Sequence, residues 1–200
     1  GDGATPEAIN ALSDSAKKLG ATTAFTATQV GELQVELAKM GFDSDQILAS
    51  SNAVLALAAA SGTDLANAAS IAAGTLRGFN LTASDTMRVA DVMAKSFASS
   101  SLDITKFQES MKQVAPIAST VGVSIEGASS ALAVLANRGI SGSLAGNQLK
   151  RIMSDLAQKT GKSFRESLTL TSKRLANATS SAEKLAIAKE LVGDRAKGSL

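Results

Sequence analysis

Cysteine, histidine, tryptophan and tyrosine are all absent from this chain of 200 residues, and proline occurs only twice. Without cysteine neither a disulfide nor a thiolate is available, which suits synthesis in a reducing compartment. Without histidine the chain lacks the side chain that most often serves as general base and as metal ligand. Aromatic residues are 3% of the chain, all phenylalanine, against 44% hydrophobic residues overall. A core therefore has to be assembled from Ala, Leu, Ile, Val and Met. Alanine lets helices approach closely but buries less area than leucine, so thin interfaces and modest stability are expected. Two hundred residues suit one domain or one large helical unit. The chain opens Gly1-Asp2-Gly3, with neither Met nor a signal-peptide pattern, as expected of an excerpt from a longer protein.

What is present is a repeated helix grammar. Val30, Leu33, Leu37 and Met40 keep helical spacing up to Gly41, Asp43 and Gln46 form a capping box, and Ile47, Leu48, Val54, Leu55 and Leu57 continue to Gly62. Thr5-Pro6-Glu7 opens a first helix, which Leu19-Gly20 is expected to end; Thr26 and Gln29 box the second. A fourth helix over about 64–77 closes at Gly78, and Thr82-Ala83-Ser84-Asp85 caps a fifth. Asp103 caps a sixth, which Pro116 is expected to kink before Gly122 ends it. Ser124 starts a seventh that stops at Gly139, and an eighth carries Leu149, Ile152, Met153 and Leu156. Gly161 marks another corner. Ser163…Glu166 and Ser180…Glu183 then open helices ending near Asn177 and Val192. No stretch alternates with the period of a strand. The fold class read here is all-α, an array of short helices joined by Gly-centred corners at Gly41, Gly62, Gly78, Gly122 and Gly139. Aligning Gly41 on Gly139 pairs Leu37-Ala38 with Leu135-Ala136, an echo too faint to be a duplication.

Charge is uneven. Residues 1–147 carry 9 Lys and Arg against 13 Asp and Glu, whereas residues 148–200 carry 11 against 5. The basic quarter suits an acidic surface or nucleic acid, with a solvated helix face as the plainer reading. Chemical motifs are fragmentary. Gly161-Lys162-Ser163 ends like a phosphate-binding loop, but Leu156 stands where its first glycine belongs. Ser15-Ala16-Lys17-Lys18 fits Ser-x-x-Lys without that motif's companions. Asp43, Asp45 and Asp64 could ligate a metal, yet Asp43 and Asp64 sit where helix caps belong. Asn80-Leu81-Thr82 and Asn177-Ala178-Thr179 match the glycosylation pattern, which matters only after secretion. No residue from Gln46 to Thr63 is charged, giving a stretch near bilayer length but weakly apolar; a buried bundle helix is the preferred reading. No catalytic, cofactor-binding or metal-binding residue is assigned.

Several ordered segments resemble the conserved core region of phage tail tape measure proteins, also called phage-related minor tail proteins. They are Ala24-Phe25-Thr26-Ala27-Thr28-Gln29-Val30, Leu37-Ala38-Lys39-Met40-Gly41-Phe42 and Ala58-Ala59-Ala60-Ser61-Gly62-Thr63-Asp64-Leu65, followed by Ala90-Asp91-Val92 and Val114-Ala115-Pro116. Leu135 through Gly146 and Leu191-Val192-Gly193 complete the set. The likeness covers about residues 20–195; Lys197 and Gly198 interrupt the small apolar residues that usually follow the last glycine. The resemblance implies a non-enzymatic structural module, made in the bacterial host cytoplasm and carried in the virion tail, in the tube lumen or at the tip. It implies a protein that sets tail length during assembly and leaves ahead of the DNA at infection. Its implied partners are the tail tube protein, tail assembly chaperones, distal tail or baseplate hub proteins and other copies around the tail axis. Host membrane contact on ejection is included; a cofactor and a specific nucleic acid are not. On this reading residues 1–22 lead in from a longer chain, 23–160 form the helical core and 161–200 form basic C-terminal helices. The alternative is a membrane-active helical protein that makes a passage through the host envelope.

Overall fold

The first turn of each helix leaves backbone N–H groups without partners, and this chain supplies acceptors for them at nearly every start. Thr5 accepts from the Ala8 N–H at 3.2 Å and opens α1 (Pro6–Thr22). Thr26 and Gln29 complete a capping box before α2 (Ala27–Lys39), and Asp43 with Gln46 another before α3 (Ser44–Ser61). Asp64 caps α4 (Leu65–Gly78). The Asp85 carboxylate accepts from the Thr82 N–H across a 3-10 turn, Ala83–Asp85, leading into α5 (Thr86–Ser99). Asp103 caps α6 (Ile104–Thr120) and Ser124 caps α7 (Ile125–Asn137). Then come α8 (Gly142–Thr160), α9 (Phe164–Asn177) and α10 (Ser181–Val192), the last capped by Ser180. At that cap Glu183 turns its carboxylate to the Thr179 N–H rather than to Ser180. The computed structural model describes residues 5–160 and 164–192. Among them the chain is all-α, with ten helices and no strand. The expectations at Gly161, Lys162, Ser163, Gly193, Lys197 and Gly198 lie outside the described residues.

Four corners share one construction. After α2, α4, α6 and α7 comes a residue with positive φ: Gly41 at 91°, Asn80 at 59°, Gly122 at 73° and Gly139 at 80°. That conformation turns the next N–H back onto the helix, so Phe42, Leu81, Val123 and Ile140 donate to the carbonyls of Leu37, Leu76, Ala118 and Leu135. Gly62, φ 66°, turns the chain between α3 and α4, which bends by 113°. Two expectations change. The corner placed at Gly78 is made by Asn80, whose short amide side chain tolerates the left-handed region, while Gly78 is the last residue of α4. Gly20 does not end α1, which continues to Thr22; a Cβ there would overlap the Ala27 backbone, so this glycine serves the approach of α2. α6 continues through Pro116 to Thr120.

The helices group into two units, Gly1–Ser99 and Ser100–Leu200. The division falls within the 23–160 stretch. In the first unit α3 packs against α1, α2, α4 and α5, and beyond the exposed Asp45 in its first turn it carries no charged residue. Val54, Leu55, Leu57 and Ala58 are buried, and Gln34 ties α2 to α1 by donating to the Leu12 carbonyl at 3.0 Å. Ala69 and Ala73 are buried in this unit, whereas Ala56, Ala59, Ala60 and Ala66 are exposed. In the second unit α6 and α8 form the principal pair, enclosing Phe107, Val114, Ala118, Ala145 and Met153. Gly146 sets their separation: a Cβ there would stand 2.6 Å from the Ser110 carbonyl oxygen and 2.9 Å from its Cα.

The corners, the α6–α8 approach and one buried hydroxyl each make a stability prediction. Gly122→Ala and Asn80→Ala should each cost about 1–2 kcal/mol and Asn80→Gly should be close to neutral, read from urea midpoints. Gly146→Ala should cost about 1–3 kcal/mol by forcing α6 and α8 apart. By contrast Ser129→Ala should gain about 1 kcal/mol, because the Ser129 hydroxyl is buried without a hydrogen-bond partner.

Candidate functional site

The residues singled out for chemistry are placed apart and put to structural use. Asp43 and Asp64 accept backbone N–H groups from Gln46 and Asn67, both at 2.8 Å, and Asp45 is exposed in the first turn of α3. In the Ser15-Ala16-Lys17-Lys18 segment Lys17 pairs with Asp14 at 3.9 Å, and Lys18 is exposed. Asn80-Leu81-Thr82 is a helix corner, and Asn177 ends α9. Ion pairs such as Lys39–Glu36, Arg88–Asp85, Lys95–Asp91 and Lys106–Asp103 lie at the surface, three or four residues apart along the chain. Such pairs, screened by solvent, steady individual helices only slightly.

A cleft of about 410 Å³ opens between α9 and α10, lined by Arg174, Asn177, Glu183, Ala186 and Ile187. Its carboxylate is already engaged, since Glu183 accepts from both the N–H and the hydroxyl of Thr179, at 2.9 and 3.2 Å. The polar residues that sequence reasoning missed are buried ones: Gln34, Ser50, Thr75, Thr86 and Ser110. Thr75 donates to the Ile71 carbonyl within its own helix. Ser50, Thr86 and Ser110 instead hold helices to one another, through Ser50 to Thr86 at 3.1 Å and Ser110 to the Gly142 carbonyl at 2.6 Å. Ser50 stands before Val54 and Ser110 before Val114 on apolar helical faces, but serine is so frequent in this chain that the placement is not distinctive.

No single helix among the described residues is long and apolar enough to cross a membrane; the bent pair α3 and α4 passes on length and composition together. In the fold these two helices bury Ile47, Val54, Leu57, Ile71 and Leu76 inside the first unit.

What the arrangement offers is a helical scaffold, and relatives show where such a scaffold is used. Residues 13–193 match the phage-related minor tail protein family. The chain belongs to that family. It is 37% identical over 158 residues to the tape measure protein of Pneumococcus phage Dp-1, covering 79% of this chain and 14% of that protein. Against the probable tape measure protein of Escherichia phage P2 the identity is 29% over 154 residues, covering 77% of this chain and 19% of that protein. The chain thus matches less than a fifth of the length of either relative. No solved structure matches it significantly.

Two caps carry a pH dependence. The Asp85 carboxyl is held below its usual value of 3.8 by the Thr82 N–H and then by Arg88. At Asp103 burial pushes the carboxyl up, but the Lys106 N–H and side chain outweigh it and the net shift is downward from 3.8. A folded-state pKa below the unfolded one stabilises above the unfolded value, and that contribution disappears as pH falls through the folded value. The thermal midpoint of the wild type should therefore exceed that of Asp103→Asn at neutral pH. The gap should close as pH falls below about 4 and through the lowered folded-state value, with the same behaviour for Asp85→Asn.

Proposed function

We propose that this chain is a segment of a tape measure protein, which sets tail length as the tail is assembled and leaves ahead of the DNA at infection. The observation that carries this reading is the 37% identity to a protein named for that role, extending over 79% of the chain. The fold is consistent with it. Its carboxylates at Asp43, Asp64 and Asp103 are used at helix ends, and its buried residues include many alanines beside leucine, isoleucine and valine.

On this reading residues 23–160 are the core, residues 1–22 lead into it, and 161–200 supply the basic helices. The module sits in the tail lumen or at the tip and is made in the host cytoplasm. Tail assembly chaperones hold it before the tail tube protein polymerises around it, and it meets distal tail or baseplate hub proteins at one end. Several copies surround the tail axis; the exposed Ala56, Ala59, Ala60 and Ala66 would allow close approach between copies. A passage through the host envelope is the less favoured role, because the apolar face of α3 is used in the core of the first unit.

The test belongs in the parent phage. An in-frame deletion of residues 23–160 should give tails of altered length or no tails by electron microscopy, with infectivity lost. Normal-length tails on infectious particles would refute the proposal.

A further inference from the structure

Gly122 has a counterpart in Gly62, sixty residues earlier and also at positive φ, and the agreement does not stop there. Asp43 and Asp103, also sixty apart, cap the first helices, each accepting the N–H three residues on at 2.8 Å. Asp64 and Ser124 cap the second helices in the same way. The left-handed residues before the third helices, Asn80 and Gly139, are fifty-nine apart because α4 has 14 residues and α7 has 13. The offset returns to sixty within the third helices, where Val89 and Met93 match Leu149 and Met153, all four buried. In both sets the first helix packs on the third, α3 on α5 and α6 on α8, with the second helix touching both.

Burial follows the same offset. Val54, Ala58 and Ala68 are fully or almost fully buried, as are Val114, Ala118 and Ala128. Positions 45, 49, 52, 56, 59 and 60 are exposed, and so is each position sixty residues later. Residues differ most where they face outward: Ala49, Asn52 and Ala56 stand opposite Glu109, Lys112 and Pro116 in the comparison. The deepest correspondence is polar. Ser50 and Ser110 are both fully buried in the middle of the first helix, and both reach the start of the third. Ser110 donates to the Gly142 carbonyl at 2.6 Å. Ser50 reaches the matching Ala83 carbonyl at 3.5 Å and donates to the Thr86 hydroxyl, which itself donates to Ala83 at 2.6 Å. A shared helix count could arise from general packing rules. A shared buried serine aimed at the same backbone carbonyl is a specific inheritance.

We infer that residues 43–99 and 103–160 are two copies of one three-helix module, each locked by its own serine latch between first and third helix, and that each opens as a separate cooperative unit. The latch closes a thin interface: a hydroxyl can reach backbone directly where small residues bring helices together, and removing it strands a buried acceptor. Its two versions differ in a way that sets the size of the effect. Without Ser110 the Gly142 carbonyl loses that donor, whereas without Ser50 the Ala83 carbonyl keeps Thr86.

Hydrogen exchange followed by mass spectrometry on the full chain tests this. Ser110→Ala should speed exchange about tenfold across α6, α7 and α8 while leaving α3, α4 and α5 unchanged. Ser50→Ala should do the reverse with a smaller, few-fold effect. Val54→Ala and Val114→Ala provide a second matched pair that leaves both latches in place, and their effects should be confined to the same modules. The inference is overturned if any of these substitutions speeds exchange equally in both modules, or if neither serine substitution changes it. These readouts concern the isolated chain, so they stand or fall separately from the tail-length experiment.

Discussion

A helix cannot end without disposing of its last carbonyls, nor begin without acceptors for its first N–H groups. In this chain one short corner answers both demands. A left-handed residue returns the following N–H to the helix just finished, an apolar residue comes next, and the residue after that caps a new start. Val121-Gly122-Val123-Ser124 does all of this in the four residues between α6 and α7. The direction of each new helix is therefore set locally by backbone geometry, before side chains from distant parts of the chain take part. The helical array is a consequence of these corners.

Because helix directions are set locally, the cores can be built from small residues. Between α6 and α8 large buried side chains such as Phe107 and Met153 stand beside a point of close approach, with Gly146 against the Ser110 backbone. Proximity has a polar consequence. Serine and threonine hydroxyls that would be too short to bridge a wider interface reach backbone carbonyls across this one, and a buried hydroxyl is tolerated because it is satisfied. The exception, Ser129, marks a place where α7 carries a hydroxyl without using it.

Features that depend on residues three or four apart were legible in the sequence. Thr26 with Gln29 and Asp43 with Gln46 are capping boxes by spacing alone, and Gly41, Gly122 and Gly139 announce corners by their identity. Features set by tertiary contact were not. Gly20 looks like a stop signal, but its lack of a side chain is used by Ala27 of the next helix. Asn80 was passed over because Gly78 lay two residues before it, and glycine is the more familiar left-handed residue. Ala69 and Ala73 have the composition of an outward small-residue face, yet neighbouring helices cover them. For the site, the legible part was that Asp43 and Asp64 belong at caps. The serines joining helices were hidden because a lone Ser in a Ser-rich chain carries no distinguishing pattern. The sixty-residue correspondence was hidden too, since its constant positions are buried Val, Ala and Ser scattered among exposed positions that differ.

The shortness of the corners bears on how such a chain can change in length. Among the described residues the connections between helices run to three or four residues, apart from the seven between α4 and α5 that include the 3-10 turn, and each holds a left-handed residue, a cap or both. Surface loops ordinarily absorb insertions, and this chain has almost none to offer. Adding one residue inside a helix instead rotates everything beyond it by about 100° and turns buried positions toward water. Small increments are therefore disfavoured throughout residues 27–158. The increment that keeps every cap, corner and buried serine in register is a complete module of about sixty residues, so lengthening by duplication is the change this architecture accommodates most readily.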